Sequence, residues 1–346
     1  MEKEQTIELK NGKFGTGCIE DPIDERDRKY DDFCTGKIKI DWVKGYNVEE
    51  DLDIKIIRKN QGSSGSCVGQ GISYYVGVIN AVEIGKYDEV SAKAVYSQIQ
   101  LGYTSGGAYI RDGMKLICDW GSVLEQKVLS YESFTTQDID GPRTIMNLPT
   151  ELFMKDKSWK TPEMDQLAKI LQAKEYRVIS ASTNMELFAH AILNNHGVVG
   201  GVRGENNGTW GTLEPKPPIN PDWGHCIYFG KFGTDRLGKY IATPNSWGDK
   251  GVDELHPDGW QKLREDYFAS GHMFNPWTLL DRPNVENYSN VKVIKDINSP
   301  AVGFWCPANS PDGLISMARN YGIDILKNDD GTVDWNSTIQ GTVNLK

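Results

Sequence analysis

The sequence predicts an α+β fold, helix-rich in its first half and strand-rich in its second, and three observations carry that prediction. After Cys67 the apolar residues Val68, Ile72, Tyr75, Val76, Ile79 and Val82 recur at roughly helical spacing, behind the turn-rich approach Gly62-Ser63-Ser64-Gly65-Ser66. Residues 191–202 read as a helix that ends at glycine and passes into a strand. His225-Cys226-Ile227-Tyr228-Phe229 and Lys239-Tyr240-Ile241-Ala242 then read as strands. The chain of 346 residues, 38% hydrophobic and 10% aromatic, has room for one large core or two modest ones and the composition of a globular protein.

A net charge of −10 and a pI near 5.1 argue against a general nucleic-acid binder, which needs clustered Lys and Arg to displace counterions from phosphates. Basic substrates are better tolerated, although whole-chain charge guides little about a local pocket. The start Met1-Glu2-Lys3-Glu4-Gln5 is charged and no apolar run approaches a membrane span. The expectation is a soluble chain with no export signal and no membrane partner, compatible with a reducing cytoplasm or a phage particle.

Cys18, Cys34, Cys67, Cys118, Cys226 and Cys306 show no C-x-x-C spacing, so neither a zinc ribbon nor a redox dithiol is supported. A free cysteine is most often a small buried hydrophobe. Cys67 differs because it would start a helix, where unpaired amides and the positive end of the dipole favour thiolate. Its own N–H, with the side-chain amide of Gln61 six residues earlier, could receive an oxyanion. Later come His225, in Gly224-His225-Cys226, and Asn245, in Asn245-Ser246-Trp247-Gly248. A thiol, an imidazole and an amide in that order are the parts of a cysteine nucleophile site.

The stretch Asn60 to Cys67 resembles the active-site segment of papain-like cysteine peptidases, and Asn245-Ser246-Trp247-Gly248 matches their Asn-Ser-Trp-Gly signature. The resemblance spans roughly residues 22–282. It implies a two-lobe fold, a helical lobe and an antiparallel β-barrel-like lobe with the active-site cleft between them. It also implies Cys67 as nucleophile, His225 as general base and acid, Asn245 as the group orienting the imidazole and Gln61 as oxyanion donor. Gly106 and Gly107 would line the substrate cleft, followed by a helix over Met114–Asp119 and a stop at Gly121. Trp247 would shield the His–Asn bond and border the substrate. No cofactor or metal is required.

The family often carries a disulfide across the cleft from three residues before the nucleophile to just before the Gly-Gly turn. Here those places hold Ser64 and Tyr103-Thr104-Ser105, consistent with a compartment that does not rely on disulfides. Val68 replaces the aromatic that usually follows the nucleophile. Cys67 and His225 stand 158 positions apart, beyond the about 130–150 of this class. The extra length is expected in Gly141–Thr161, which has no clear periodicity. Gly204–Trp223, with Pro215, Pro217, Pro218 and Pro221, is expected as an irregular loop close to His225.

The other histidines, His190, His196, His256 and His272, carry structural or surface expectations, and no pair has metal-ligand spacing. Asn328-Asp329-Asp330-Gly331 lacks the alternating ligands of a calcium loop and reads as a turn. Three glycosylation-type triplets, at Asn207, Asn287 and Asn336, carry little weight without a secretory signal.

Three regions are expected. Residues 1–50 form an N-terminal extension wrapping the body, with Arg26 in an ion pair and a Pro-x-Asp-x-Arg-Asp flavour similar to bacterial and phage members of the family. Residues 51–282 form the catalytic domain. Residues 283–346 form an extension or small module, with a helix starting at Ser310-Pro311 and ending at Gly322, docked on the body or on a larger assembly. The expected activity is cysteine-type endopeptidase cleavage of a protein or peptide through a Cys67 thioester. Acyl transfer, or amidase action on cell-wall or isopeptide bonds, would use the same thiol. The alternative of another class is a non-catalytic binding or structural protein that keeps the cleft.

Overall fold

A computed structural model describes residues 6–9, 12–34, 39–102, 106–138 and 141–280. The expected C-terminal extension, its Ser310 helix and the Tyr103-Thr104-Ser105 stretch lie outside the described residues.

The helix Cys67–Ile84 runs through the middle of the first half, buried on nearly every side. Ser66 precedes it, and Gly85 ends it at φ +72°, a left-handed conformation suited to glycine, with its N–H on the Ala81 carbonyl. Against it pack Ala92–Ile99, capped by the Ser91 hydroxyl on the Ala94 amide, and Ile110–Asp119, which buries Ile110, Met114 and Ile117 on one face. Gly113 lets the last helix close in, because a Cβ there would strike Ile72.

The second half contains two antiparallel four-stranded sheets. One runs Trp223–Phe229, Val198–Gly204, Met273–Leu280, Glu175–Val178. The other runs Gln261–Arg264, Gly238–Thr243, Lys231–Asp235, Tyr46–Asn47. The barrel-like lobe is therefore built from open sheets. Strand alternation divides Trp223–Phe229 between two cores: Cys226 and Tyr228 join the core of the Cys67 helix, while Trp223, Ile227 and Phe229 join the core of the sheet lobe.

Two local readings are corrected, and the stretch without clear periodicity is given its structure. The helix expected to stop at glycine spans Met185–Asn195 and ends on His196, itself left-handed at φ 62°, with Gly197 one position later. The 141–161 stretch is structured: Glu132–Asp138 pairs with Gly141–Asn147, and Glu151–Lys155 follows. Its signals are local, since Thr150 caps that helix and Thr161 caps Pro162–Ala168, so no apolar period announced them. Among the described residues Arg26 pairs with neighbouring Asp24 on the surface rather than with the body. Ion pairs from the extension to the body come from Glu20 to Arg203, Asp27 to Arg111 and Arg28 to Glu175.

Candidate active site

The approach to Cys67 is a hydrogen-bonded loop. Gly62 turns it at φ +53°. The Ser64 amide and hydroxyl both donate to the Gln61 carbonyl, at 3.2 and 2.7 Å. Ser64, where the family often has a bridging cysteine, is thus a turn residue. A carboxylate crosses the gap instead. Glu151 Oε2 accepts from the Gly65 amide at 2.7 Å, Oε1 accepts from the Tyr96 hydroxyl at 2.8 Å, and that hydroxyl accepts from the Gly107 amide at 2.8 Å.

The loop is zipped to the later motif. Gln61 N–H donates to the Ser246 carbonyl at 2.9 Å and Gly248 N–H to the Lys59 carbonyl at 3.0 Å. The Ser246 hydroxyl donates to Gln61 Oε1 at 2.6 Å, which fixes the side-chain amide with Nε2 turned the other way. Residues 185 positions apart are brought together by these bonds.

His225 enters from the strand Trp223–Phe229, opposite Val202. Asn245 follows the strand Gly238–Thr243 and takes a left-handed φ of 53°, steadied by its N–H on the Thr243 hydroxyl and by the Tyr74 hydroxyl on its carbonyl. Its Nδ2 donates to Gln261 Oε1 at 2.5 Å, so Oδ1 must face His225 Nε2, 2.9 Å away. An amide oxygen only accepts, so the imidazole carries its proton on Nε2 and leaves Nδ1 with a lone pair. Among the described residues Nδ1 has no hydrogen-bond partner.

Around this pair stands an aromatic box. Trp247 stacks on the imidazole at 4.1 Å between ring centres and Trp210 meets it edge-on at 6.1 Å. Trp223 and Tyr267 pack against Trp210 in turn. Burial, with a smaller push from the Lys250 cation, takes the His225 pKa down to about 3 despite the Asn245 bond.

Cys67 is fully buried, and the backbone amides of Cys226, Gly17 and Val68 act on its sulfur in the direction that favours the thiolate. Burial pushes its thiol far up, the Cys18 thiol adds to this, and those amides oppose it. The expectation of a partly activated thiolate is not met in this covered form, because burial raises the thiol's pKa by more than the neighbouring amides lower it.

What desolvates the site is the chain's own N-terminal strand. Gly15 N–H donates to the Gly62 carbonyl at 2.8 Å, and Gln61 Nε2 donates to the Gly15 carbonyl at 2.9 Å. Trp247 Nε1 donates to the same carbonyl at 3.3 Å. Cys18–Ile19 then pairs in parallel with Ala108–Tyr109, and Ile19 packs over Gly107. A Cβ at Gly15 would collide with the Ser64 carbonyl and one at Gly17 with the Gly65 carbonyl, so only glycine lets the strand lie this close. Phe14 packs on Trp247 at one end. Asp21 anchors the other through Trp277 Nε1 at 2.8 Å, and burial raises its pKa to about 6.

His225, Asn245, Gln61 and Trp247 are linked through direct contacts and the Ser246 hydroxyl. Cys67 shares a core with Cys226, the residue after His225, and among the described residues no hydrogen bond joins its sulfur to the imidazole. Gly106 and Gly107 adjoin the Cys67 loop through Glu151 and Tyr96. Gln261, Ser246, Glu151 and the Gly15–Gly17 strand were not anticipated. The alternating glycines around Thr16 were a legible signal for close backbone approach; Gln261 had none. Of the structural and surface alternatives, His256 takes the structural one: it is buried and bonded to Asp253 at 2.7 Å and Glu214 at 3.0 Å. The loop before Trp223 is irregular as expected, apart from a 3-10 turn at Thr209–Gly211 that sets Trp210 on His225.

A helix that begins at a cysteine, beside two sheets that deliver a His–Asn pair, one residue from each, is the arrangement of the papain-like cysteine protease fold. Solved structures with that fold are similar over most of this chain. Xylellain, a cysteine protease from Xylella fastidiosa, aligns with a TM-score of 0.57 at 18% identity over 79% of this chain and 98% of its own. Bromelain from Ananas comosus, in complex with the E64 inhibitor, gives 0.52 at 16% over 69% and 99%. Digestive procathepsin L 3 of Tenebrio molitor larval midgut gives 0.51 at 15% over 70% and 71%. No family model matches the sequence, and no curated protein matches it in a sequence comparison.

Proposed function

We propose that this protein is a cysteine endopeptidase whose catalytic body is residues 51–282, described here in a self-covered form. The observation that carries the reading is the His225 geometry: Nε2 is held by Asn245 while Nδ1 is left as an unpartnered base, on a strand that packs against the Cys67 helix. When the Gly15–Gly17 strand leaves, water enters, the penalty on both charged forms falls, and His225 Nδ1 takes the Cys67 proton. The thiolate attacks a peptide carbonyl, and its oxyanion is received by Gln61 Nε2 and the Cys67 amide. Imidazolium protonates the departing amine. His225 then draws a proton from water, which hydrolyses the Cys67 thioester. The substrate is a protein or peptide, with Gly106 and Gly107 lining its acyl side.

Cys18→Arg tests the reading. Cys18 lies in the core against the Gly224 backbone, where an arginine has no room, so the strand should lift without disturbing loop 62–66. The expected result is iodoacetamide labelling at Cys67 and peptide-library cleavage, both lost on adding Cys67→Ser. No selective labelling of Cys67 in the opened protein would sink the proposal. Product analysis with added amines separates hydrolysis from acyl transfer.

A further inference from the structure

Lys250 follows the Asn-Ser-Trp-Gly segment and has no role in the chemistry above. Its Nζ lies 5.9 Å from the centre of the Trp247 ring and 5.2 Å from that of Phe14. The nitrogen is buried and, among the described residues, has no hydrogen-bond partner. Neighbouring Asp249 turns away, accepting from the Gly251 amide at 2.8 Å. Burial alone lowers the Lys250 pKa to about 8, with no anion acting to raise it. An ammonium left without an acceptor is costly, and ring faces offset only part of that cost.

Its position indicates what it meets in an open site. The Lys250 cation acts on His225, through which the leaving amine receives its proton, and Trp247 lies flat against that imidazole. The imidazole that protonates the departing amine marks the leaving-group side of the scissile bond, and Lys250 shares the Trp247 ring with it. Phe14 of the covering strand packs over the ammonium and supplies no negative charge. Departure of that strand opens the ammonium to the substrate.

We infer that Lys250 is a specificity-determining residue that binds a substrate carboxylate just beyond the scissile bond. Two sources fit, an Asp or Glu side chain or the free C-terminus of a short peptide. The inference rests on the peptidase reading for the direction of the substrate, and it makes a separate claim about binding.

The test uses full-length protein carrying Cys18→Arg to lift the strand and Cys67→Ala to prevent turnover, with binding read by fluorescence anisotropy. Amidated peptides carrying Glu, Ala or Lys at the first two positions after a fixed cleavable bond are compared, with the Ala peptide also tested as its free acid. Preference for Glu over Ala by about tenfold, the worth of one charge-assisted contact, is expected. Lys250→Met abolishes it, and Lys250→Glu reverses it toward the Lys peptide. A gain confined to the free acid assigns the carboxylate to the peptide terminus. Equal binding of all peptides, or a preference that survives Lys250→Met, overturns the inference. Failure of the Cys67-containing protein to cleave any peptide counts against the peptidase reading alone.

Discussion

The two walls of the cleft are built on different principles. The Cys67 wall is a polar mesh of backbone amides, small residues and one bridging carboxylate, so its shape depends on hydrogen bonds spaced to fit. The His225 wall is an aromatic box in which a single polar chain, Gln261 to Asn245 to His225, runs through Trp210, Trp247 and Tyr267. A nucleophile needs donors for a developing oxyanion, whereas a base needs a fixed tautomer and little competing water. Under the proposed peptidase mechanism, each wall has the composition its task requires. The strand that closes the cleft meets both, with glycines against the polar wall and Phe14 against the aromatic one.

The largest expected effect erases the comparison. In the opened protein Cys67→Ser should lower turnover by about 10⁴-fold or more with the fold intact, as thermal unfolding and peptide cleavage together will show. Breaking the polar chain of the aromatic wall comes next: Asn245→Ala should lower kcat roughly 10²-fold while KM moves little, because the imidazole loses its tautomer lock. Breaking the polar wall acts first on stability. Glu151→Ala strands the Gly65 amide and should cost about 1–3 kcal/mol in denaturant unfolding, with Glu151→Gln recovering most of it.

The smallest effect concerns pH. The buried His225 falls from 6.5 to about 3, so its contribution to the covered form is present above pH 6.5 and is lost as pH drops toward 3. Buried Asp21 rises from 3.8 to about 6, so its contribution is present below pH 3.8 and is lost as pH rises through 6. Between about pH 4 and 6 the two oppose each other. Asp21→Asn removes one side, and its melting temperature should then fall more steeply than that of the unaltered protein on acidification from pH 6.5 to 4. Parallel curves would mean that Asp21 does not act this way.

Much of the site was legible because each part announces itself locally. A Gly/Ser turn before an apolar helical period marks the start at Cys67, and Asn245-Ser246-Trp247-Gly248 is a dense local signature. Glu151 was not legible, since nothing near it in sequence indicates that its carboxylate meets an amide 86 positions away. Gln261 was equally silent, a glutamine in an otherwise unremarkable strand.

By itself, then, the sequence determined the helix that begins at Cys67, the strand that carries His225 and the motif that carries Asn245, because turn chemistry, periodicity and alternation act over a few residues. Only the tertiary structure decided that the thiol and imidazole are both held neutral. Charge state depends on which groups exclude water from a site, and here that is a strand some fifty residues before the nucleophile, admitted by glycines at 15 and 17.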